Sequence, residues 1–279
     1  GLAIEAESAK DEGKLLEALG KLTQEDPTLR VEENAETGQR ILRGMGELHL
    51  QIQFERLQRE FKLAVRAGKP DVVMRETISS TATVENLFHR VIEREDSTLE
   101  MKGWARVSVS PRPRGQGNEV VADGYEVRSE DGSGLTAAQQ TAVTEGATDA
   151  ATSGPLEGAL LQDVRVEVLA VETFGSFSSP QALRVAVAEA VRRAIADASP
   201  VLLRPIMDTE VVVPEENLGS ILGDLQSRGA LIHDTQPGEM SSIRCDCPLD
   251  KLLGYTTALR SMTRGRGQFT MSFDRFDAV

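Results

Sequence analysis

Side chains able to do chemistry gather in two stretches of this sequence. Gly44-Met45-Gly46-Glu47-Leu48-His49-Leu50 sets an imidazole at the start of an amphipathic run, with Arg56 and Arg59 further along it. Near the other end, Tyr255 precedes Arg260, Arg264 and Arg266, three guanidinium groups within seven residues. Such a group can hold phosphate oxygens, and it can equally complement the negative end of a helix. Cys245 and Cys247 sit two apart, so on a strand they share one face. That spacing does not suit a disulfide, and with three histidines they form no metal-ligand pattern, so a reduced structural role and no metal are expected. No Gly-x-x-x-x-Gly-Lys-[Ser/Thr] phosphate loop occurs, so these residues give no sign of nucleotide hydrolysis.

These groups need rigid elements beneath them. Ile41 and Leu42 lead into the glycines, and Leu48, Ile52, Leu57 and Phe61 recur at roughly helical spacing. The spacing predicts strands over 2–7, 29–34, 40–44 and 63–67, with helices over 11–25 and 47–61: the β-α-β-β-α-β order of a split βαβ unit. The last third repeats the plan, with strands over 206–213, 230–235, 242–247 and 268–273 and helices over 218–228 and 249–262. Asp11 and Asp250 are the expected helix caps, and Pro214 with Asn217 punctuates before Leu218. Between them lie strands over 81–93, 106–110 and 163–171, an Ala-rich helix over 136–153 and a second over 180–198. The fold class is α+β: ferredoxin-like domains over 1–76 and 201–279 flank a central α+β domain over 77–200, with boundaries near Thr77 and Pro200.

Hydrophobic residues at 40% and charged residues at 27% describe a globular chain. No run of 18 apolar residues exists and no charged-then-apolar leader opens the sequence, which leads us to expect a cytoplasmic protein without a membrane. A net charge of −13 argues against indiscriminate phosphate binding. Residues 77–200 are the most acidic part, with 11 positive against 18 negative side chains. That acidity, with no aromatic platform, counts against a free-standing RNA-binding module. The split βαβ fold also hosts acylphosphatases, but the loops 8–12 and 214–217 lack the arginine their anion cradle needs.

Ala18-Leu19-Gly20-Lys21-Leu22-Thr23-Gln24-Glu25-Asp26-Pro27, the glycine–histidine string, Gly68-Lys69-Pro70 and Arg75-Glu76-Thr77 together closely resemble the third domain of bacterial elongation factor G. Val201-Leu202-Leu203-Arg204-Pro205-Ile206-Met207, Gly223-Asp224-Leu225, Gly254-Tyr255, Leu259-Arg260-Ser261 and Thr263-Arg264-Gly265 are similar to its fifth domain. Gly154-Pro155-Leu156 and Phe174-Gly175-Ser176 match the fourth more sparsely. The resemblance implies domains three, four and five, the middle one of the ribosomal-protein-like, left-handed βαβ type. It implies no cofactor here, with GTP and Mg held by a preceding GTPase domain. The implied partners are that domain, the tRNA–mRNA pair and the RNA of both ribosomal subunits, engaged by a monomer.

Residue by residue, the resemblance implies that His49, Arg56 and Arg59 read the switch regions of the GTPase domain. It implies that Tyr255, Arg260, Arg264 and Arg266 contact large-subunit RNA. The decoding-site tip would comprise the segment 94–103, with Asp96, Ser97 and Thr98, and the segment 171–180, with Ser176, Ser178 and Ser179. The first lacks the family's repeated glycines and carries three acids; the second lacks its histidine. This departure suggests a diverged paralogue acting in translocation or, alternatively, in ribosome recycling or protection. Trp104, the only tryptophan, is expected in a core, and 111–117 is expected to be a solvated loop.

Overall fold

The computed structural model describes residues 1–94 and 97–278 as a mixed α+β protein. It divides into two compact units, one of Gly1–Val73 with Pro205–Asp274 and the other of Met74–Arg204 with the residues from 275 on.

The first unit opens with β1 (Leu2–Ala6), α1 (Glu12–Glu25), β2 (Arg30–Glu33), β3 (Arg40–Arg43), α2 (Glu47–Arg59) and β4 (Val65–Gly68). The strands pair antiparallel in the order β2-β3-β1-β4. Ile4, Leu42 and Val65 pack with Leu15, Leu19 and Leu22 of α1 and with Leu50 and Leu57 of α2. Asp11 occupies the N-cap position of α1 but makes no side-chain cap bond. A 3-10 turn, Ala9–Asp11, intervenes, capped by Ser8 Oγ, and Asp11 accepts from Lys14 Nζ at 2.9 Å instead.

The phase of α2 differs from the expected one. Its buried row is Leu50, Gln53 and Leu57, whereas Leu48 and Ile52 face solvent at 72% and 49% exposure. The turn before the helix sets this phase. A Cβ on Gly44 would lie 2.9 Å from His49 Nδ1 and 3.1 Å from Leu50 Cδ2, so glycine lets Leu50 seat against the strand end.

The second unit contains β5 (Arg75–Ile78), β6 (Ala82–Arg94), β7 (Ser97–Pro111), β8 (Glu119–Val121), β9 (Glu126–Ser129), α3 (Ala137–Ala150), β10 (Leu160–Leu161), β11 (Val164–Thr173) and α4 (Pro180–Asp197). The sheet runs β6-β7-β11, and β8 and β9 each lie parallel to β11. Val107, Val109, Val166 and Val168 pack on one face with Val143 of α3 and Leu183, Val187 and Val191 of α4. Thr136 and Gln139 form a capping box on α3, and Ser179 caps α4 ahead of Pro180. The helices touch so closely that a Cβ on Gly146 would lie 2.5 Å from the Arg184 carbonyl oxygen.

β5, unmarked by any periodicity, pairs parallel with β10 and antiparallel with the start of β12 (Pro200–Pro214). Thr77 and Pro200 therefore both lie on paired strands, with Val201 opposite Thr77. Trp104 is not in the core. It occupies the sheet face away from α4, half-buried beneath the Arg128 guanidinium at 5.1 Å.

From Ile206 onward β12 belongs with α5 (Leu218–Ser227), β13 (Leu231–Gln236), β14 (Met240–Pro248), α6 (Leu249–Leu252), α7 (Tyr255–Met262) and β15 (Gln268–Asp277). Their strand order is β15-β12-β14-β13. The single helix expected over 249–262 is broken at Gly254, whose φ of +79° reverses the chain. Asp250 follows Pro248 inside the short α6 and is not its cap.

Cys245 and Cys247 do share the inward face of β14, both at 0% exposure. Burial pushes the Cys245 thiol up to about 12 and the Cys247 thiol up to about 11. Since the thiolate is the reactive form, neither thiol is expected to react with a disulfide reagent at pH 8 in the native protein. Both should react at once in strong denaturant, which a thiol count in each condition checks.

Candidate functional site

The histidine of the glycine-rich turn is engaged on both ring nitrogens. Nδ1 accepts from Met45 N at 3.3 Å, and Nε2 lies 2.8 Å from Asp26 Oδ2. With Nδ1 accepting, Nε2 carries the proton and donates to the carboxylate. His49 thus joins α2 to the turn after α1. Arg56 repeats the link one face along, pairing with Glu25 at 2.8 Å and Glu60 at 2.9 Å. The hydrogen bonds it donates to these two carboxylates, Glu60 first, raise its already high pKa further. Arg59 is free of that network, 81% exposed and 3.9 Å from Glu55. It continues the outward row of Leu48 and Ile52, beside Met45 at 69% exposure. The outward face of α2 therefore carries Leu48 and Ile52 with Glu55 and Arg59 toward its end, and the histidine lies behind it.

Asp26 anchors this corner. The Thr28 hydroxyl and backbone N–H bond its Oδ1 at 2.6 and 2.9 Å, and these bonds, then His49, hold its carboxyl below the ordinary 3.8. A depressed carboxyl contributes stability that is present above pH 3.8 and lost as pH falls through the folded value. The urea midpoint gap between wild type and Asp26→Asn is expected to be complete at pH 6 and to narrow as pH falls below 3.8.

The arginine cluster lies where α7 ends. Gly265 N bonds Arg260 O at 2.7 Å, Gly267 N bonds Thr263 Oγ1 at 2.7 Å, and Arg264 takes a left-handed φ of 53°. The turn fans three exposed guanidinium groups outward. Arg266 is held by Glu216, while among the described residues Arg260 and Arg264 have no ion pair. Tyr255 does not join them. It is fully buried, edge-on to Phe269 with ring centroids 5.1 Å apart and Arg228 4.8 Å over its ring. It supports the patch from beneath and cannot reach a ligand.

The two tip segments are shaped differently from the expectation. Residues 97–103 are strand, not loop: β6 and β7 pair from Ala82 opposite Val109 to Arg94 opposite Ser97. Asp96 lies outside the described residues, as does the side chain of Ser97; Thr98 is exposed. Ser178 is 3% exposed, accepting from Phe174 N at 2.8 Å and donating to Lys102 O at 2.7 Å. Ser179 spends its oxygen capping α4, accepting from Ala182 N. Ser176 alone of the three serines is exposed.

Sequence reasoning passed over two buried acids that hold loops. Glu76, at 0% exposure, accepts backbone N–H bonds from Leu156, Glu157 and Ala159 at 2.9–3.0 Å. Asp163, equally buried, accepts from Gly115 N at 3.0 Å and Gly117 N at 2.7 Å. The 111–117 segment is accordingly pinned, with Arg112 bonded to the Gly117 carbonyl at 2.8 Å.

Three family models match end to end: Elongation Factor G, domain III, over residues 1–69; Elongation factor G, domain IV, over 70–199; and Elongation factor G C-terminus over 201–279. The chain belongs to the elongation factor G family, as its domains III, IV and V. It is 41% identical over 277 residues to Elongation factor G 2 of Geobacter metallireducens and 40% over 278 residues to Elongation factor G 1 of Geobacter sulfurreducens. Each alignment takes 99% of this chain and 39% of the relative, so the chain spans about two-fifths of these elongation factors. A crystal structure from Thermus thermophilus matches with a TM-score of 0.75 and 32% identity, over 100% of this chain and 40% of that one. The α2 corner belongs to the domain III match, the β6–β7 hairpin to domain IV and the arginine turn to the C-terminal domain. No helix among the described residues is long and apolar enough to cross a membrane.

Proposed function

We propose that this chain is the ribosome-engaging part of an elongation factor G-like translational GTPase, coupling GTP state to movement of the tRNA–mRNA pair. The observation that carries this reading is the unbroken succession of the three domain matches. Ferredoxin-like domains over 1–76 and 201–279 then flank a ribosomal-protein-like lever over 77–200, in keeping with the strand orders β2-β3-β1-β4 and β15-β12-β14-β13. The outward face of α2, Leu48, Ile52 and Arg59 with Met45, takes the GTPase domain, which carries GTP and Mg. His49 and Arg56 hold that helix in place. Arg260, Arg264 and Arg266 contact large-subunit RNA, and the lever's end, with Thr98 and Ser176, reaches the small subunit. The factor works as a monomer in the cytoplasm. Work comes from differential affinity for two ribosome conformations, since a ligand shifts an equilibrium only by that difference.

The histidine-free second tip segment, with two of its serines engaged internally, favours recycling or protection as the second reading. Primer extension on a pre-translocation ribosome complex with the full-length parent and GTP separates them. A one-codon shift of the messenger supports translocation; no shift with ribosome-stimulated GTP turnover intact moves the assignment to the second reading. In the same protein, Arg260→Gln with Arg264→Gln is expected to weaken ribosome binding and to flatten its log-affinity against log-salt slope by about one to two.

A further inference from the structure

A groove of about 560 Å³ opens in the second unit between α3 and the segment joining β8 to β9. Asp123, Tyr125 and Val127 line one wall, and Gln140, Thr144 and Glu145 line the other. No lysine, arginine or histidine lines it. Two donors of the helix wall are directed elsewhere. Thr144 Oγ1 donates to Gln140 O at 3.2 Å, and Gln140 Nε2 donates to Leu135 O at 3.4 Å. The acceptors left for a ligand are the Thr144 hydroxyl oxygen, Gln140 Oε1 and two carboxylates; the Thr141 and Tyr125 hydroxyls and the second Gln140 amide hydrogen stand beside them. Glu145 is shared with Arg184 at 3.3 Å, but that arginine lies closer to Asp149, at 2.5 Å. Asp123 has no ion-pair partner among the described residues.

We propose that this groove binds the guanidinium group of an arginine presented by a basic peptide segment. A planar group with five donors can reach the two carboxylates and the neutral acceptors together, and it can lie against the Tyr125 ring, where a compact ammonium gains less. Burial raises the Tyr125 phenol above its ordinary value of 10. The volume exceeds a single side chain's need, leaving room for the flanking peptide backbone along Val127, which is 38% exposed. The site owes nothing to the ribosomal reading of the chain and stands or falls separately.

The test titrates the 279-residue chain with an Arg-Gly-Arg-Gly-Arg peptide, its lysine counterpart and spermidine, at about 0.15 M salt, where long-range attraction to the acidic surface is screened. Amide NMR shifts locate binding and calorimetry measures it. The expected result is saturable shifts confined to 122–127 and 140–145, with the arginine peptide bound about tenfold more tightly than either competitor. Asp123→Asn with Glu145→Gln should lose about tenfold in affinity, and Tyr125→Phe, which keeps the ring, should lose little. Shifts spread over the acidic surface, equal affinity for the lysine peptide or spermidine, or an unchanged affinity in the double variant would each overturn the proposal. Exchanging Glu130 and Glu157 for glutamine alters charge equally outside the groove and is expected to leave binding as it was.

Discussion

Replacing Glu76 with alanine is expected to destabilise the second unit by about 3 to 5 kcal/mol, among the largest effects any single substitution here can have. The carboxylate is fully buried and takes three backbone N–H bonds from the loop over 154–160. Bonds to a charged acceptor contribute about 1.5 to 3 kcal/mol each, and truncation leaves three donors facing a void. Two considerations hold the figure down. Burying the charge already costs several kcal/mol, which the variant recovers, and water can reach a loop whose Leu156 and Leu160 are exposed. Glu76→Gln should be milder, because Oε1 serves Glu157 and Ala159 together while Oε2 serves only Leu156. An amide oriented with its oxygen at the first position keeps two bonds and sets its nitrogen against a third donor. The readout is direct: the only tryptophan, Trp104, lies in this unit, so its fluorescence in urea follows this transition. A midpoint unmoved by Glu76→Ala would mean the loop is held by something other than this carboxylate. Gly154 belongs to the same device, since a Cβ there would land on the Glu76 carboxylate.

What was legible in the residues follows from where the information is local. Strands and helices of both split βαβ stretches could be placed because alternation and the 3.6-residue period are written in neighbouring positions. The break at Gly254 was not, since Leu249, Leu252, Tyr255 and Leu259 keep an apolar spacing through it and glycine in a helix is only a modest cost. Phase was harder still. Leu48 and Ile52 look like core residues until the close approach at Gly44 fixes Leu50 inward instead. Tyr255 lies near the arginines in sequence, yet a helix carries one residue of such a run inward for every few outward. Glu76 and Asp163 were invisible for a different reason. An acid within a short strand, as Glu76, or just before a strand, as Asp163, reads as exposed, and only tertiary structure brings to these carboxylates N–H groups 80 and 46 residues away in the chain.

Changing Leu48 and Ile52 to glutamate in the full-length parent is expected to lower ribosome-stimulated GTP turnover by about a hundredfold while leaving this domain folded. Both side chains face solvent here, so their exchange removes little packing from the first unit, and surface changes of this kind usually fall within about 0.5 kcal/mol. If the GTPase domain covers them, two buried aliphatic side chains contribute about 3 to 6 kcal/mol of contact. Part of that is lost to ordering, and about 3 kcal/mol of surplus corresponds to the stated factor. Two carboxylates set in place of that contact would also be desolvated without a partner. His49→Ala offers the opposing pattern. It breaks the bonds to Asp26 and Met45 N and should cost stability of about 1 to 3 kcal/mol, with turnover falling only as far as the helix shifts. A thermal melt and a turnover assay on both variants distinguish the two roles. If His49→Ala keeps its melting temperature but loses turnover, and Leu48→Glu with Ile52→Glu loses neither, the imidazole reads the switch itself and the apolar face of α2 serves another partner.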